Sequence, residues 1–389
     1  MRILTAIFLC TLLAGFACAQ DKQVQIAAAH LQKLRETADG TYLDLASRIV
    51  DGLLARDPHN YEALRLRIEI ALNLHEFAKV AGESRGLIRL SPRDPRNWGT
   101  LGDALMETGD YEGAADAYQQ MADIAPGLAS YNRIAFYRFV TGYPEGAIAA
   151  MTEAIGAGGK TPENLAWCLV DLGWMYFKTG RIEEAAAAFG NALQVFPGYH
   201  RAHAGMGQVL AAQNRIPQAI DSYRKAQAVV PLPEYAGALS EFYAVAGNPE
   251  ETRKQQALVD MLDQLGTARG EKTNRNLALI YADQDRKPAR SLELARAELD
   301  VRRDVYTYDA LAWALYRNKR YTEAREAADK AIRLHTPEPA FYYHAGMIAA
   351  AQGNEVEAAR LLDRAQALNP RFDLRWKLAS GSRPAAVDR

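Results

Sequence analysis

Apolar residues recur at intervals of three and four along almost the whole chain, with polar residues between them. In one segment Ala114, Tyr118 and Met121 stand one helical turn apart, so they share one face of a helix. Glycines and prolines separate consecutive segments of this kind. The pattern predicts an all-α protein built from amphipathic helices that pair across their apolar faces.

The helix pattern also has a fixed period. Pro58, Pro92 and Pro126 are each 34 residues apart. Small residues recur in matching contexts at Leu101-Gly102, Leu172-Gly173, Met206-Gly207 and Ala345-Gly346, and at Ala114, Ala185, Ala219, Ala324 and Ala358. A period of this length indicates stacked repeats, since one repeat cannot bury its own apolar face.

These residues resemble the signature of the tetratricopeptide-repeat family. Residues 95–128 carry the signature from Trp98 through Gly102 to Pro126, and residues 166–199 carry it again. The resemblance implies a right-handed superhelical solenoid of about ten helix-turn-helix repeats. The divisions it gives are a signal peptide at 1–19, degenerate N-terminal capping repeats at 20–94, repeats at 95–266, a degenerate repeat at 267–304, C-terminal repeats at 305–372, and a short cap with a disordered tail at 373–389.

Small residues have two predicted roles in the repeats. The Gly and Ala positions lie where two helices cross, and large residues such as Tyr118, Phe189 and Tyr223 fill the space beside the crossing. Other glycines supply the positive φ that turns between helices often need, at Gly109, Gly142, Gly180, Gly247 and Gly353. Two departures from the period predict a Gly-rich linker at 156–162 and an unusually long helix from Pro249 to Leu265.

The first residues have the pattern of an export signal. Arg2 precedes an almost wholly apolar run at 3–16, and the small residues at 17–19 suit cleavage by a signal peptidase. This run is too short for a permanent membrane span, and no later stretch is long and apolar enough to be a transmembrane helix. Cleavage after Ala19 predicts a periplasmic or secreted protein. In the alternative, Cys18 is acylated and the protein is a lipoprotein.

Charge and cysteine content narrow the possible functions. The chain has 46 basic and 47 acidic residues, which are interspersed and form no basic block. Nucleic-acid binding needs clustered positive charge, so the sequence argues against a nucleic-acid partner. Removal of the export signal would leave Cys168 without a second cysteine, and its neighbours Leu165, Trp167 and Leu169 predict a buried structural thiol.

Two motifs resemble chemical sites. Residues 154–161 match a relaxed phosphate-binding loop with Ala154 in place of the first Gly, but a predicted helix precedes them where such a loop follows a β-strand. His200 and His203 lie one turn apart without further ligands nearby in sequence, so we expect a surface pair instead of a metal site. The sequence predicts no catalytic residue, no metal, no cofactor and no enzymatic activity.

The resemblance also implies which residues face the concave groove. In the family the first helix of each repeat lines this groove with its second, fifth, ninth, twelfth and thirteenth positions. On this chain the ninth and twelfth positions give three aromatic pairs, Phe136/Phe139, Trp174/Phe177 and Trp313/Tyr316. Tyr343 adds a ring in the last repeat, and the cations Lys178 and Arg317 follow two of the pairs directly.

These side chains make two predicted aromatic clusters, one near Trp174 and one near Trp313. Positions between the clusters are small, which suggests a channel for an extended peptide or a partner helix; they are Ala204, Ala211, Ala244 and Ala282. In the alternative, the rings pack against the next repeat and only fill the superhelix. The family's carboxylate clamp needs Lys and Asn at set groove positions, where this chain offers pairs such as Asp103 with Glu107, so no clamp is expected.

The resemblance implies a non-enzymatic scaffold for protein-protein interaction. We expect a protein or peptide partner in the concave groove of an exported solenoid. A second possibility is an assembly or regulatory subunit of an envelope export or biogenesis machine, which acylation of Cys18 would favour. Because the repeats extend to about residue 372, we expect no catalytic domain.

Overall fold

The chain folds into ten pairs of helices over residues 21–271 and 273–374, which the computed structural model describes. Units 1–5 are α1 (residues 21–37) and α2 (Thr41–Arg56), α3 (Tyr61–Asn73) and α4 (Phe77–Leu90), α5 (Pro95–Thr108) and α6 (Tyr111–Ile124), α7 (Leu128–Val140) and α8 (Pro144–Ala157), and α9 (Pro162–Lys178) and α10 (Ile182–Val195). Units 6–10 are α11 (His200–Ala212) and α12 (Ile216–Val229), α13 (Pro233–Val245) and α14 (Pro249–Ala268), α15 (Arg275–Asp283) and α16 (Pro288–Val301), α17 (Val305–Arg317) and α18 (Tyr321–Ile332), and α19 (Pro339–Ala351) and α20 (Glu355–Leu368). Each helix packs mainly on its neighbours along the chain, which confirms the predicted all-α solenoid.

The starts of the helices follow from local sequence. The Asp94 side chain accepts a hydrogen bond from a backbone N–H at the start of α5, and Asp110 does the same for α6. These bonds satisfy N–H groups that have no partner within the helix. Proline occupies the first turn of α5, α8 and α9, where its missing N–H costs nothing.

Close packing explains the small residues at the helix crossings. A Cβ atom on Gly102 would lie 2.3 Å from the Tyr118 ring, and one on Gly173 would lie 2.6 Å from the Phe189 ring. These distances are far inside van der Waals contact, so only glycine allows the two helices of a unit to approach this closely. The prediction that small and large residues pair at the crossings is confirmed.

The two predicted departures from the period are also present. Residues 158–161 lie between α8 and α9, and α8 precedes them, so no β-strand leads into the motif that resembled a phosphate-binding loop. The long helix that begins at Pro249 is α14, which extends for 20 residues to Ala268. All five predicted turn glycines have positive φ.

The solenoid closes on itself, because units 3–5 contact the segments that follow units 8–10. The backbone N–H of Arg303 donates to the Glu107 carbonyl at 2.9 Å. The buried Asn369 side chain donates to the Phe177 carbonyl at 2.6 Å. Between these two contacts, the Thr336 hydroxyl donates to the backbone carbonyl of Val140. We call this set the closure contacts.

Three turn glycines lie at the closure contacts and permit them. A Cβ atom on Gly109 would lie 2.6 Å from the Arg303 carbonyl oxygen, and one on Gly142 would lie 2.8 Å from that of Leu334. A Cβ atom on Gly180 would lie 2.7 Å from the Leu368 carbonyl oxygen. These glycines therefore serve twice, since they adopt positive φ and also let another backbone approach.

Comparison of Gly180→Ala with Gly353→Ala isolates the closure. Both positions have similar positive φ, 78° and 76°, but no atom lies within 4 Å of a Cβ on Gly353. We expect Gly353→Ala to cost about 1–2 kcal/mol from backbone strain alone. Gly180→Ala should cost about 1–3 kcal/mol more, because its methyl group displaces the Leu368 carbonyl. Urea denaturation measures the difference, and hydrogen exchange at residues 368–372 should accelerate in Gly180→Ala only.

Several sequence predictions fall on other parts of the chain. The export signal at 1–19, with Cys18, lies outside the described residues, and so does all of the predicted cap and tail after residue 374. In the part that is described, no helix combines the length and apolar character needed to span a membrane.

Candidate binding cavity

A cavity of about 380 Å³ lies inside the closed solenoid. First helices of units 3–6 form one side of it, and residues of units 8 and 9 form the other. Its lining comprises Met106, Glu107, Tyr111, Phe136, Phe139, Val140, Asp171, Trp174, Met175, Lys178, Arg201, Arg275, Asp304 and Tyr306. The cavity therefore combines aromatic walls with both signs of charge.

The first predicted aromatic cluster lies largely at this cavity. Phe136 is 40 % exposed although it is an aromatic residue in the interior of the solenoid. Trp174 is half-buried, and its ring meets Phe189 edge-on with centroids 5.5 Å apart. Phe139 is buried but still reaches the lining, whereas Phe177 is buried outside it.

Lys178 connects the cavity to the far end of the chain. Its ammonium group lies 2.6 Å from the Glu338 carboxylate and 5.3 Å from the centre of the Tyr306 ring. Burial acts to lower the pKa of Lys178, but Glu338, Tyr306 and Asp171 together outweigh it and the pKa is raised. Lys178 is therefore a charged cross-link between units 5 and 10, in addition to lining the cavity.

Burial raises the pKa of two carboxyl groups in the lining. The pKa of Glu107 is raised to about 7 by burial, against the opposing effect of Arg302. The pKa of Asp171 is also raised by burial, and Arg201 only partly offsets this. Both groups are thus less well stabilised as carboxylates than they would be in water.

Glu107→Gln should remove the loss of stability that we expect in the wild type as the pH rises through about 7. The pKa of Glu107 is raised from 4.5 to about 7 in the folded state. Protonation of Glu107 therefore stabilises the fold, and this contribution is complete below pH 4.5. That contribution is lost as the pH rises through about 7. At pH 8 we expect the variant to be more stable than the wild type by about 1–3 kcal/mol, with no such gain near pH 4.

Urea denaturation across this pH range tests the expectation. The charged groups that face Glu107 are Arg302, Arg275, Asp304 and Asp103. The variant leaves all four unchanged, so the comparison reports the Glu107 carboxyl group alone. Glu112→Gln, at an exposed position on α6, controls for loss of a surface charge. A pH-independent difference between wild type and Glu107→Gln would contradict the assignment.

The second predicted aromatic cluster forms a packed stack away from the cavity lining. Trp313 is 2 % exposed, and its Nε1–H donates to the Asp283 carboxylate at 2.8 Å. Its ring stacks on Tyr316 at 4.7 Å and on His344 at 4.2 Å. The Arg317 guanidinium lies over the tryptophan ring, 4.5 Å from its centroid.

Tyr343 extends this stack toward the end of the described chain. Its ring centroid lies 6.0 Å from that of Trp313 and 5.9 Å from that of Phe372. The structure therefore brings together Trp313, Tyr316, Arg317 and Tyr343, but it does not place them around the cavity with Phe136 and Trp174.

The predicted alanine channel between the clusters is wrong for three of its four positions. Ala211 and Ala282 are fully buried and Ala204 nearly so, while Ala244 is exposed. At Ala211 and Ala282 the small side chain allows neighbouring helices to pack closely, so these residues do not line open space.

The prediction of a surface pair of histidines is wrong for His200, whereas His203 is partly exposed. His200 is 2 % exposed, and its Nδ1 lies 2.6 Å from the Tyr235 hydroxyl of the next unit. Burial lowers the pKa of His200 to about 4. Among the described residues no group of three or more His, Cys, Asp or Glu side chains is arranged to hold a metal ion.

Cys168 is buried as predicted. Its side chain is fully enclosed, and burial raises the pKa of the thiol to about 12. The nearby Asp171 carboxylate adds to this shift. The thiol is therefore held in its unreactive, protonated form.

Comparison with known families agrees with the helix pairs. The sequence profile of the tetratricopeptide repeat matches residues 85–129, 170–234 and 310–371. The chain is a tetratricopeptide-repeat protein. Its repeats therefore belong to a family of protein-interaction scaffolds. No curated protein sequence is significantly similar to the chain.

Solved structures with the same kind of helix repeats are similar to parts of this tetratricopeptide-repeat protein. TTC0263, a thermophilic repeat protein of Thermus thermophilus, is 19% identical and covers 49% of this chain and 99% of its own, with a TM-score of 0.43. PilW, described as a widely conserved type IV pilus biogenesis factor, is 13% identical and covers 57% and 98%, with a TM-score of 0.45. The human IFIT1 dimer with PPP-AAAA is 14% identical and covers 88% and 81%, with a TM-score of 0.47.

Sequence reasoning missed the charged part of the cavity. Arg201 and Tyr306 stand at the second position of their tetratricopeptide repeats, and Arg275 stands at the fifth. All three would have been identified if the second and fifth groove positions of the family had been used in addition to the ninth and twelfth. Asp171 stands at a sixth position, which that rule does not include.

Proposed function

We propose that this tetratricopeptide-repeat protein is a scaffold of the cell envelope that binds a segment of a partner protein in its interior cavity. The observation that carries the proposal is the exposure of Phe136 inside the solenoid. Apolar surface in contact with water costs about 25 cal/mol per Å² relative to burial. A partner side chain that covers Phe136 and Trp174 would recover this free energy.

The chemistry of the lining supports a protein partner. Aromatic side chains and arginine are the residues that most often anchor protein interfaces. Here Phe136, Trp174 and Tyr306 share one cavity with Arg201 and Arg275. In the second cluster Trp313 is itself buried, so we place the binding face at the first cluster alone.

A matched pair of variants tests the proposal. Phe136→Ala removes an exposed ring from the cavity, and Tyr143→Ala removes a 69 % exposed ring at the start of α8. We expect Phe136→Ala to weaken binding of the partner recovered by affinity purification by at least about tenfold. Tyr143→Ala should leave the affinity unchanged.

The outcome is read with purified partner by isothermal titration calorimetry. Phe136 is a cleaner probe than Trp174, because the Trp174 ring also packs on Phe189 and its removal disturbs the fold. Equal affinities for wild type and Phe136→Ala would contradict binding in the cavity.

The envelope location rests on the export signal at residues 1–19. Mass spectrometry of the native protein from fractionated cells tests it. We expect a mature N-terminus at Gln20, after cleavage behind Ala19. A lipid-modified Cys18 would support the membrane-anchored alternative, and an uncleaved N-terminus in the cytosolic fraction would contradict export.

A further inference from the structure

Two carboxylates in the cavity, Asp171 and Glu107, are only loosely or jointly paired with a cation. The nearest guanidinium to Asp171 is that of Arg201, at 3.9 Å, which is beyond hydrogen-bonding distance. Glu107 Oε2 lies 3.0 Å from Nε of Arg302, but the same Nε lies 3.4 Å from the fully buried Glu298 carboxylate. Two carboxylates therefore share one guanidinium, and Glu107 Oε2 accepts no hydrogen bond from the described residues.

Two of the three cations in the lining are closely paired with carboxylates, and the third, Arg201, stacks on a ring. Lys178 is paired with Glu338 at 2.6 Å, and Arg275 makes two hydrogen bonds to the Asp304 carboxylate at 2.9 and 3.2 Å. The Arg201 guanidinium stacks on the Trp167 ring at 4.1 Å. Lys178 and Arg275 are thus closely paired, whereas Asp171 with Arg201 is a loose pair and Glu107 shares its cation with Glu298.

The apolar walls stand beside these carboxylates. Asp171 and Trp174 are one helical turn apart on α9, so both face the cavity, and Phe136 of the preceding unit lines the same space. Aromatic faces attract cations through the electrostatic quadrupole of the ring. Carboxylates with aromatic walls are therefore suited to a cation on an apolar stem.

We propose that the cavity binds a lysine or arginine side chain of the partner, with Asp171 and Glu107 facing the charge and Phe136 and Trp174 packing against the stem. The inference rests on the proposed function, since it names the part of the partner that enters the cavity. A volume of about 380 Å³ lies at the low end of the range for small-ligand sites, about 300–1,000 Å³, which suits a side chain better than a helix.

Capped tripeptides test the proposal without a known partner. The probes are acetyl-Ala-X-Ala-amide, where X is arginine, lysine, norleucine or glutamate. Norleucine matches the stem of lysine without its charge. Binding is followed by ¹⁹F NMR of the full chain labelled with 5-fluorotryptophan, with the Trp174 signal assigned through its loss in Trp174→Phe.

The arginine and lysine probes should shift the Trp174 signal saturably at concentrations up to about 10 mM. The norleucine and glutamate probes should bind at least about tenfold more weakly, because a charge-assisted contact is absent. Asp171→Asn should weaken the arginine probe by about tenfold or more. Asp363→Asn, at an exposed position on α20, is the matched control and should leave binding unchanged.

Three results would overturn the proposal. They are equal binding of norleucine and lysine probes, preferential binding of the glutamate probe, and no shift with any probe. With any of these results, loss of partner binding in Phe136→Ala would still support binding of a partner in the cavity. The proposed function and the preference for a lysine or arginine side chain can therefore fail separately. If Asp171→Asn alters the circular dichroism spectrum, the comparison of lysine with norleucine on the wild type decides alone.

Discussion

Replacing Phe189 by alanine is expected to lower the free energy of unfolding by about 3–5 kcal/mol. The ring is fully buried between two successive units of the solenoid. A Cβ atom on Gly173 would lie 2.6 Å from it, and one on Gly205 of the next unit would lie 2.3 Å from it. Because both neighbouring positions are glycines, they have no side chain that could fill the cavity left by the variant.

Urea denaturation followed by circular dichroism measures the loss, with Phe136→Ala as the control at an exposed ring. The control should lose less than about 1 kcal/mol. Gly205→Ala should also destabilise, and a second substitution, Phe189→Leu, should restore part of that loss by making room for the methyl group. A loss below about 1 kcal/mol in Phe189→Ala would show that the ring is not packed as described.

Replacing Trp313 by alanine is expected to cost a similar amount, about 3–5 kcal/mol. The side chain is 2 % exposed, and its removal abolishes the stack with Tyr316 and His344. It also removes the hydrogen bond that Nε1 donates to Asp283. The variant therefore tests whether the second aromatic cluster serves packing or binding.

Trp313→Phe separates the two contributions, because it keeps a stacking ring and loses the hydrogen bond. We expect it to cost about 1–2 kcal/mol, less than half the loss in the alanine variant. Thermal and urea unfolding measure both. A Trp313→Ala protein of wild-type stability that fails to bind the partner would instead make this cluster a binding site.

The helix pairs could be predicted from sequence because the repeat constrains local packing directly. Gly102 must be small where Tyr118 crosses it, and that relation recurs with each period. Positive φ at the turn glycines follows from the same local geometry. These predictions depend on contacts within one unit or between neighbours, which the period displays.

The closure contacts could not be predicted, because they join units five places apart. Gly109, Gly142 and Gly180 look like Gly247 and Gly353 in sequence, but only the first three approach another backbone. Contacts between units this far apart follow from the pitch of the superhelix and not from the residues of one repeat. The burial of His200 was missed for a different reason, since its contact with Tyr235 of the next unit is made by residues that do not recur with the period.

The candidate site was predicted in part. The family's groove positions identify Phe136 and Trp174, which line the cavity, and also Trp313, which does not. Both kinds of ring have the same spacing along their helices. The difference arises because His344 and Tyr316 stack on Trp313, which is 2 % exposed, whereas Phe136 remains 40 % exposed.

Site-specific photo-crosslinking in the native cells tests the central claim, that a partner is held inside the solenoid, most directly. A photoreactive phenylalanine is placed at Phe136 in the cavity and, as the control, at Val356, which is 85 % exposed on α20. We predict that one protein is crosslinked from position 136 and not from position 356. Crosslinking of the same protein from position 356 alone, or equally from both positions, would contradict binding in the cavity.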